Sequence, residues 1–312
     1  MYDIVSIGSS VVDSFIKSKA FKIQKTDAGV LLCQSYGEKI DVDEYLVKTG
    51  GGGSNTAVGF SRMGFRTGLV TELGKDVWSE LILQELHKEY VDTKLVVTEK
   101  NEKNGGSIIL LGEDGGRTIM VHRGASAQLD PKDIPVFYLS GTKWIHLSSV
   151  SGQLETLNFI FEVIRDGHTQ MSWNPGNKEL QLLKSGEISI AHLPVTILIV
   201  NKFEWDSIRE IQNKILEVVP HIVVTNGKQG GEIYLDGRPT KRFFSEEVEA
   251  VDETGAGDAF IVGYISAYLK GKTIEEACVW GKRNSQSVIS KIGAKPGLLT
   301  IDQIESHNNH YE

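Results

Sequence analysis

A short segment near residue 255 combines residue types that can bind an anion and accept a proton. Gly255-Ala256-Gly257 runs directly into the acidic Asp258, an apolar run covers residues 259–269, and Lys270-Gly271 ends it. This pattern predicts a buried helix with a glycine just past its end. Free N–H groups at a helix start bind anions, and small residues let a phosphate approach the backbone closely. An anion cradle beside a carboxylate base is what phosphoryl transfer to an alcohol requires.

A second glycine-rich segment, Thr49-Gly50-Gly51-Gly52-Gly53-Ser54-Asn55, leads into a patterned helix. Glycines let the backbone come close to a ligand, and Ser54 or Asn55 can cap the helix. We therefore expect the exposed N–H groups and the Asn55 amide to hold a hydroxyl-rich substrate. A flexible linker is the alternative, although linkers rarely feed directly into a patterned helix. The dinucleotide-binding pattern does not fit, because the third glycine is missing.

Two weaker motifs follow predicted strands. Asn201 and Glu204 come after the strand predicted at 195–200 and offer oxygens at i, i+3 spacing. Mg²⁺ prefers one or two such oxygens together with phosphates, while capping of a helix is the commoner meaning of this spacing. The segment Thr225-Asn226-Gly227-Lys228-Gln229-Gly230 follows another predicted strand. It suits contact with a nucleotide, and equally a plain β-turn.

Composition narrows the class of partner. The 312 residues fit one large α/β domain or two ordinary ones, and the net charge of −8 comes without a long basic cluster. A small-molecule partner is favoured and a nucleic acid is not. No apolar run is long enough for a membrane span, and the start lacks a signal-peptide pattern. Cys33 and Cys278 lie far apart, which indicates a reducing, cytoplasmic setting without disulfides.

The elements that must position these residues alternate along the chain. Short apolar strands are predicted at 4–8, 66–71, 144–147, 195–200 and 222–225, with amphipathic helices at 78–90 and 154–166. Such alternation predicts a mostly parallel sheet with helices on both faces. Two segments, 14–48 and 105–124, break this rhythm, and the second is typical of a hairpin turning at Asp114-Gly115-Gly116. Together they predict a small antiparallel sheet covering a cleft, with surface excursions without function as the alternative.

Taken together, these residues resemble the ribokinase (PfkB) family of sugar and nucleoside kinases. The resemblance extends from Gly8-Ser9 to Gly293-Ala294-Lys295-Pro296, and Asp252-x-Thr254-Gly255-Ala256-Gly257-Asp258 is highly specific to that family. It implies an α/β fold, a three-layer sandwich with a mostly parallel central sheet, as one kinase domain over 1–312. A β-sheet lid would be built from segments 14–48 and 105–124.

The resemblance also implies an activity and its site residues. The activity is ATP-dependent transfer to a hydroxymethyl group of a sugar or sugar derivative; the alternatives are an adenosine, cytidine or inosine kinase, or a non-catalytic ligand-binding protein on the same fold. Asp258 would be the catalytic base, beside an anion hole of Gly255, Ala256 and Gly257. The implied substrate-binding residues are Asp13, Gly51, Gly52, Asn55 and Arg123. The implied nucleotide-binding residues are Asn201, Thr225, Gly227, Gly230, Gly257 and Asn284. Asn201 and Glu204 would organise Mg²⁺ indirectly, and Asp252 and Thr254 fall where many members bind K⁺.

Three positions depart from the family pattern. Val11 stands where ribose-specific members carry an asparagine, and Ser148 where they carry a substrate-binding glutamate. Near the adenine, Lys282 falls closest to the usual asparagine and Asn284 lies two residues on. These departures argue against strict ribose specificity. A homodimer through the lid is expected, because an exposed sheet edge tends to find a partner.

Overall fold

The computed structural model describes residues 1–27, 29–99, 101–112, 116–167, 169–245 and 248–306. Asp114 and Gly115 of the predicted hairpin turn lie outside the described residues. The strands are β1 (Ile4–Ile7), β2 (Val11–Lys17), β3 (Lys22–Thr26), β4 (Gly29–Cys33), β5 (Glu44–Gly50), β6 (Thr67–Gly74), β7 (Val96–Glu99), β8 (Gly105–Leu111), β9 (Arg117–His122), β10 (Trp144–Leu147), β11 (Gln170–Trp173), β12 (Ile197–Asn201), β13 (His221–Thr225), β14 (Gly231–Leu235) and β15 (Arg238–Phe243). The helices are α1 (Gly52–Arg62), α2 (Val77–Lys88), α3 (Val136–Ser140), α4 (Leu154–Asp166), α5 (Asn177–Ser185), α6 (Lys202–Ser207), α7 (Gln212–Val218), α8 (Ala256–Leu269), α9 (Ile274–Ile289) and α10 (Ile301–Ser306).

A large sheet runs through the centre in the order β15-β14-β13-β12-β11-β10-β1-β6-β7. Its strands pair in parallel from β7 across to β13, and β14 and β15 add an antiparallel edge. All four residues of β1 and all eight of β6 are buried. Burial on both faces is what a parallel sheet covered by helices requires. The predicted mostly parallel sheet is confirmed.

The two faces of this sheet carry separate hydrophobic layers. Val5 and Ile7 of β1 pack with Leu157 and Phe161 of α4 on one side. Ile4 points to the other side and packs in the layer that includes residues of α1, α8 and α9. Alternate residues of a strand face opposite sides, so one strand contributes to both cores. The result is the predicted three-layer sandwich. Within the described ranges, no helix is long and apolar enough to cross a lipid bilayer.

A smaller sheet stands apart from the central one, in the order β5-β2-β8-β9, and β3 pairs with β4 in a separate hairpin. The predicted 105–124 hairpin is present as the antiparallel pair β8 and β9. The β2 and β5 pair is also antiparallel, whereas β2 and β8 are parallel. A long crossover joins β2 to β8, which allows the parallel pairing. The sheet begins at Val11, three residues before the predicted segment.

Candidate active site

The start of α8 leaves its first N–H groups without a side-chain cap. Its N-cap residue is Gly255, with φ of 78°, and no side chain in the described residues caps it. A Cβ on Gly255 would lie 2.3 Å from the Cβ of Ala294, whereas a Cβ on Gly257 would meet nothing described within 4 Å. Packing and backbone conformation therefore explain Gly255. Gly257 instead borders open space, where an anion can reach the helix start.

Asp258 is joined to the start of a second helix. The Asn55 Nδ2 of α1 donates a 2.8 Å hydrogen bond to Asp258 Oδ2. Asn55 is buried, and its Oδ1 is a buried atom without a hydrogen-bond partner among the described residues. Burial raises the pKa of Asp258, while the Asn55 hydrogen bond and the positive charge of Lys295 act in the opposite direction. Asp258 is thus a partly buried carboxylate held at a fixed orientation.

Asp13 lies on β2 next to the first glycine of the 50–53 segment. Ser107 Oγ donates a 2.5 Å hydrogen bond to Asp13 Oδ1, and a Cβ on Gly50 would lie 2.2 Å from Asp13 Oδ2. A side chain at residue 50 would therefore collide with the carboxylate. Burial raises the pKa of Asp13, and the Ser107 hydrogen bond and the charge of Lys295 oppose that shift.

Val11 and Ser148, the two substrate-side positions that depart from the family pattern, lie beside Asp13 and Asp258. Val11 begins β2 opposite Gly50. Ser148 Oγ donates a 3.2 Å hydrogen bond to the Ile7 carbonyl. A Cβ on Gly52 would lie 2.9 Å from Ser148 Oγ and 3.7 Å from Asp258 Oδ1, so Ser148 borders the same space as the candidate base.

A cleft of about 270 Å³ opens next to the α8 start. Its lining includes four of the predicted nucleotide-binding residues, Thr225, Gly227, Gly230 and Gly257, together with Ala256 of the predicted anion hole. The turn after β13 and the α8 start are more than twenty residues apart in the chain, and the fold brings both to one opening. The other lining residues are Arg117, Lys228, Phe243, Ser245, Val248, Glu253, Phe260, Lys282, Ser285, Gln286 and Ile289.

The position of Asn284 corrects one expectation. Asn284 is fully buried, its Nδ2 donates to the Ala259 carbonyl at 2.7 Å, and its Oδ1 accepts from Leu299 N at 2.9 Å. It is absent from the lining of the cleft, to which Lys282, two residues earlier, contributes. Residues two apart face opposite sides of a helix, so Asn284 packs toward the core.

Asn201 and Glu204 form a reciprocal helix cap at the start of α6. Asn201 Oδ1 accepts from Glu204 N at 2.8 Å, and Glu204 Oε2 accepts from Asn201 N at 2.9 Å. Capping, one of the two readings of this spacing, is therefore present. Burial raises the pKa of Glu204, and its bonds with Asn201 oppose the shift. Mg²⁺ is often bound through water by one or two side-chain oxygens, so a carboxylate and an amide oxygen side by side fit an indirect role in binding that ion.

Asp252 and Thr254 are arranged differently from the expected K⁺ site. Asp252 Oδ1 accepts from Thr254 N at 3.0 Å and from Thr254 Oγ1 at 2.7 Å, and Oδ2 accepts from Gly293 N at 2.9 Å. The Arg117 guanidinium lies 3.3 Å from Asp252 Oδ1. A fixed positive charge thus stands where K⁺ was expected, and the residues do not fit that ion.

Lys295 is a buried cation that the sequence analysis did not assign to the site. Its Nζ lies 2.6 Å from Thr49 Oγ1 and 2.8 Å from Glu85 Oε2, and Thr49 also donates to Glu85. Burial lowers the pKa of Lys295, and Glu85 opposes that shift. Its charge acts on both Asp13 and Asp258. A lysine between small residues and Pro296 was the available signal in the sequence.

Arg123 is exposed just beyond the end of β9. Its carbonyl accepts a 2.5 Å hydrogen bond from Ser126 Oγ. The expected contact between its side chain and a substrate stays a prediction.

Comparisons with known proteins identify the family and the fold. A family model described as pfkB family carbohydrate kinase matches residues 1–301. The chain is 25% identical to a ribokinase from Staphylococcus aureus, over 96% of this chain and 98% of that protein. The structure of a nucleoside kinase from Methanocaldococcus jannaschii has a TM-score of 0.79 at 21% identity, covering 99% of each chain. A putative ribokinase II from E. coli in complex with ATP and Mg²⁺ has a TM-score of 0.82 at 17% identity, covering 100% of each chain. The fold is that of the ribokinases, and the chain belongs to the pfkB family of carbohydrate kinases.

Proposed function

We propose that this protein is an ATP-dependent kinase that phosphorylates a hydroxymethyl group of a sugar or sugar derivative, with Asp258 as catalytic base. One observation carries the proposal: the 2.8 Å hydrogen bond from Asn55 to Asp258. It fixes a carboxylate between two helix starts that no described side chain caps, those of α1 and α8. The start of α1 lies next to Asp13, and the start of α8 lines the cleft.

The acceptor hydroxyl would lie on the Asp13 side. Asp13 and the N–H groups of Gly51 and Gly52 would bind substrate hydroxyls, and the unpartnered Asn55 Oδ1 would accept from another. Ser148 borders this space without the negative charge of a glutamate, which supports a substrate other than ribose. Arg123 would approach from the small sheet.

The phosphoryl donor would lie in the cleft beside Thr225, Gly227 and Gly230. The E. coli protein of the same fold was solved with ATP and Mg²⁺, which supports this pair as donor and cofactor. Mg²⁺, when bound, would neutralise phosphate charge. Asn201 and Glu204 would hold it through water.

Transfer would proceed by in-line displacement. Asp258 takes the proton of the acceptor hydroxyl as the oxygen forms a bond to the γ-phosphorus, and the bond from that phosphorus to the bridging oxygen of ADP breaks. In the structure Ala256 N donates a long, 3.3 Å hydrogen bond to the Glu253 carbonyl. In the reaction the N–H groups of Ala256 and Gly257 would stabilise the charge on the transferring phosphoryl group. Gly255 would hold the turn that aims them.

We also propose that residues 1–312 act as one domain, in which segments 14–48 and 105–124 form the lid, and that two copies pair through it. Every residue of β9 is exposed, including the apolar Ile119, Met120 and Val121. An exposed apolar edge strand favours pairing with a second copy. Sedimentation should show a dimer at micromolar concentration, and a monomer would contradict this pairing.

A substrate panel tests the proposed activity. ADP release would be measured with ATP, Mg²⁺ and each of ribose, fructose, 2-keto-3-deoxygluconate, adenosine, cytidine and inosine. We expect turnover with a sugar or sugar acid. Turnover with nucleosides alone would favour the nucleoside kinase reading, which the likeness to the Methanocaldococcus jannaschii protein makes the second candidate. Tight binding of one compound with no phosphorylation would instead indicate a non-catalytic member.

A further inference from the structure

An arginine of the small sheet reaches the loop that precedes the α8 start. Arg117 is the first residue of β9, and its guanidinium lies 3.3 Å from Asp252 Oδ1 and 3.5 Å from Thr254 Oγ1. The Arg117 side chain is 35% exposed, whereas that of Asp252 is 5% exposed. The pair therefore joins an accessible cation to a buried carboxylate 135 positions away in the chain.

Asp252 organises the backbone on both sides of the candidate anion hole. It accepts from the N–H of Thr254, just before Gly255, and from the N–H of Gly293, which begins the segment containing Ala294. Ala294 in turn packs against Gly255. Both oxygens of Asp252 thus accept hydrogen bonds from the backbone that flanks the candidate anion hole.

A buried carboxylate of this kind needs a compensating positive charge. The guanidinium supplies it permanently, since arginine does not lose its proton at any relevant pH, and its planar group can donate to two acceptors at once. A monovalent cation at Asp252 Oδ1 would have to displace it. Arg117 also lines the cleft with Gly257, so the same side chain borders the candidate donor site.

We propose that Arg117 is a positioning residue that supplies, as part of the protein, the positive charge beside Asp252, so that the phosphate-binding loop is held in place without a monovalent cation. The kinetic consequence rests on the proposed kinase activity. The structural consequence does not, because the hydrogen bonds of Asp252 exist whatever the substrate is.

Amide hydrogen exchange at Thr254 and Gly293 tests the proposal without turnover. The wild type, R117A and R117K would be compared in potassium chloride and in tetramethylammonium chloride at equal ionic strength. Wild-type exchange should be the same in both salts. In R117A it should be about tenfold faster in tetramethylammonium, since one partner of the ion pair is lost, and K⁺ should restore much of the protection. R117K keeps the positive charge but not the planar guanidinium. Its exchange rates should lie between those of the wild type and those of R117A.

Arg66→Ala is the matched control. Arg66 forms a more exposed arginine–aspartate pair with Asp3 at 3.2 Å, just before β6 begins, and Lys143 also contacts that aspartate. Its loss should leave exchange at Thr254 and Gly293 unchanged. Protection of the wild type that depends on K⁺, or unchanged exchange in R117A, would overturn the proposal. If R117A does not fold, exchange of R117K in the two salts replaces it. Faster exchange than in the wild type, slowed by K⁺, supports the proposal, and exchange equal to that of the wild type overturns it.

Kinetics then extend the test to the reaction. With an active substrate, wild-type kcat should be equal in the two salts, and kcat of R117A should fall about tenfold in tetramethylammonium and recover in K⁺. A wild type that needs K⁺ for turnover contradicts the inference about Arg117. A wild type that turns over no substrate in either salt contradicts the proposed function. The exchange experiment would then still decide the structural role of Arg117.

Discussion

Helices α6 and α8 both begin beside the candidate site, but side chains cap the start of α6 and do not cap the start of α8 in the described residues. At the start of α6, Asn201 and Glu204 satisfy each other's backbone in a reciprocal cap. At the start of α8, the N-cap is Gly255, which has no side chain to offer, and the first-turn acid Asp258 is turned toward Asn55. A helix start that its own side chains do not satisfy is available to an anion from outside.

The start of α1 follows the α8 pattern. Its N-cap is Gly51, with φ of 95°, and no side chain in the described part of the chain caps it. Both starts thus have a glycine with positive φ at the N-cap and no side-chain cap, although at the α1 start Ser54 N donates to the Ser9 carbonyl at 3.2 Å. The hydrogen bond between Asn55 and Asp258 joins the two helices. The α6 start is thus stabilised by its own side chains, whereas α1 and α8 lack that local stabilisation, as the proposed binding of ligands at their starts requires.

Replacing Asp258 should have the largest effect. In Asp258→Asn the amide cannot accept a proton, and we expect kcat to fall about a thousandfold, within the range for a lost general base. Binding of ATP by calorimetry and the melting temperature should change little, because asparagine has nearly the same shape. A variant that keeps near-wild-type kcat would remove Asp258 from the role of base.

Changing Gly255 or Gly257 to alanine should distinguish a glycine needed for the backbone conformation from a glycine that leaves room for an anion. Gly257→Ala extends into open space, so we expect kcat to fall about a hundredfold with the melting temperature unchanged, because the methyl group occupies the position of an anion. Gly255→Ala must adopt positive φ against Ala294, and we expect a loss of about 2–4 kcal/mol in the free energy of unfolding. Equal effects of both changes on stability would contradict the assigned difference, as measured by urea unfolding and steady-state kinetics.

Glu204→Gln should separate capping from metal binding at the start of α6. Glutamine still accepts a hydrogen bond at this position of a capping box, so the melting temperature should stay close to that of the wild type. Loss of the charge should raise the Mg²⁺ concentration for half-maximal activity about tenfold, as for other residues that orient a metal's surroundings. Unchanged Mg²⁺ dependence would leave Glu204 with the cap as its single role.

Asn55→Ala should change the pH dependence of activity. The Asn55 amide stabilises the ionised form of Asp258 and so lowers its pKa. Without it the pKa rises further, and because the base must be ionised, the acid limb of the kcat profile should move to higher pH. The profile is measured at saturating substrate, since Asn55 is also a candidate substrate contact. A limb that stays in place would indicate that another group controls it.

The prediction from sequence was most accurate where short-range physics decides. The alternation of buried strands with helices is a local property of the sequence, and it predicted the central sheet correctly. Asn284 does not line the cleft, because residues two apart lie on opposite faces of a helix and Lys282 takes the face toward the cleft. The match to the family pattern left a choice between these two positions and did not say which one faces the cleft. Lys295 and Arg117 escaped notice because their partners lie more than a hundred residues away.

By itself the sequence determined the family and the mostly parallel sheet, because these depend on residue type and close spacing. The tertiary structure alone decided which side chains meet: Asn55 with Asp258 across 203 positions, Lys295 with Glu85 across 210, and Arg117 with Asp252 across 135. Each of these pairs places a hydrogen bond or a charge next to a buried or partly buried carboxylate. Their strength depends on distance and burial, which exist only once the chain has folded.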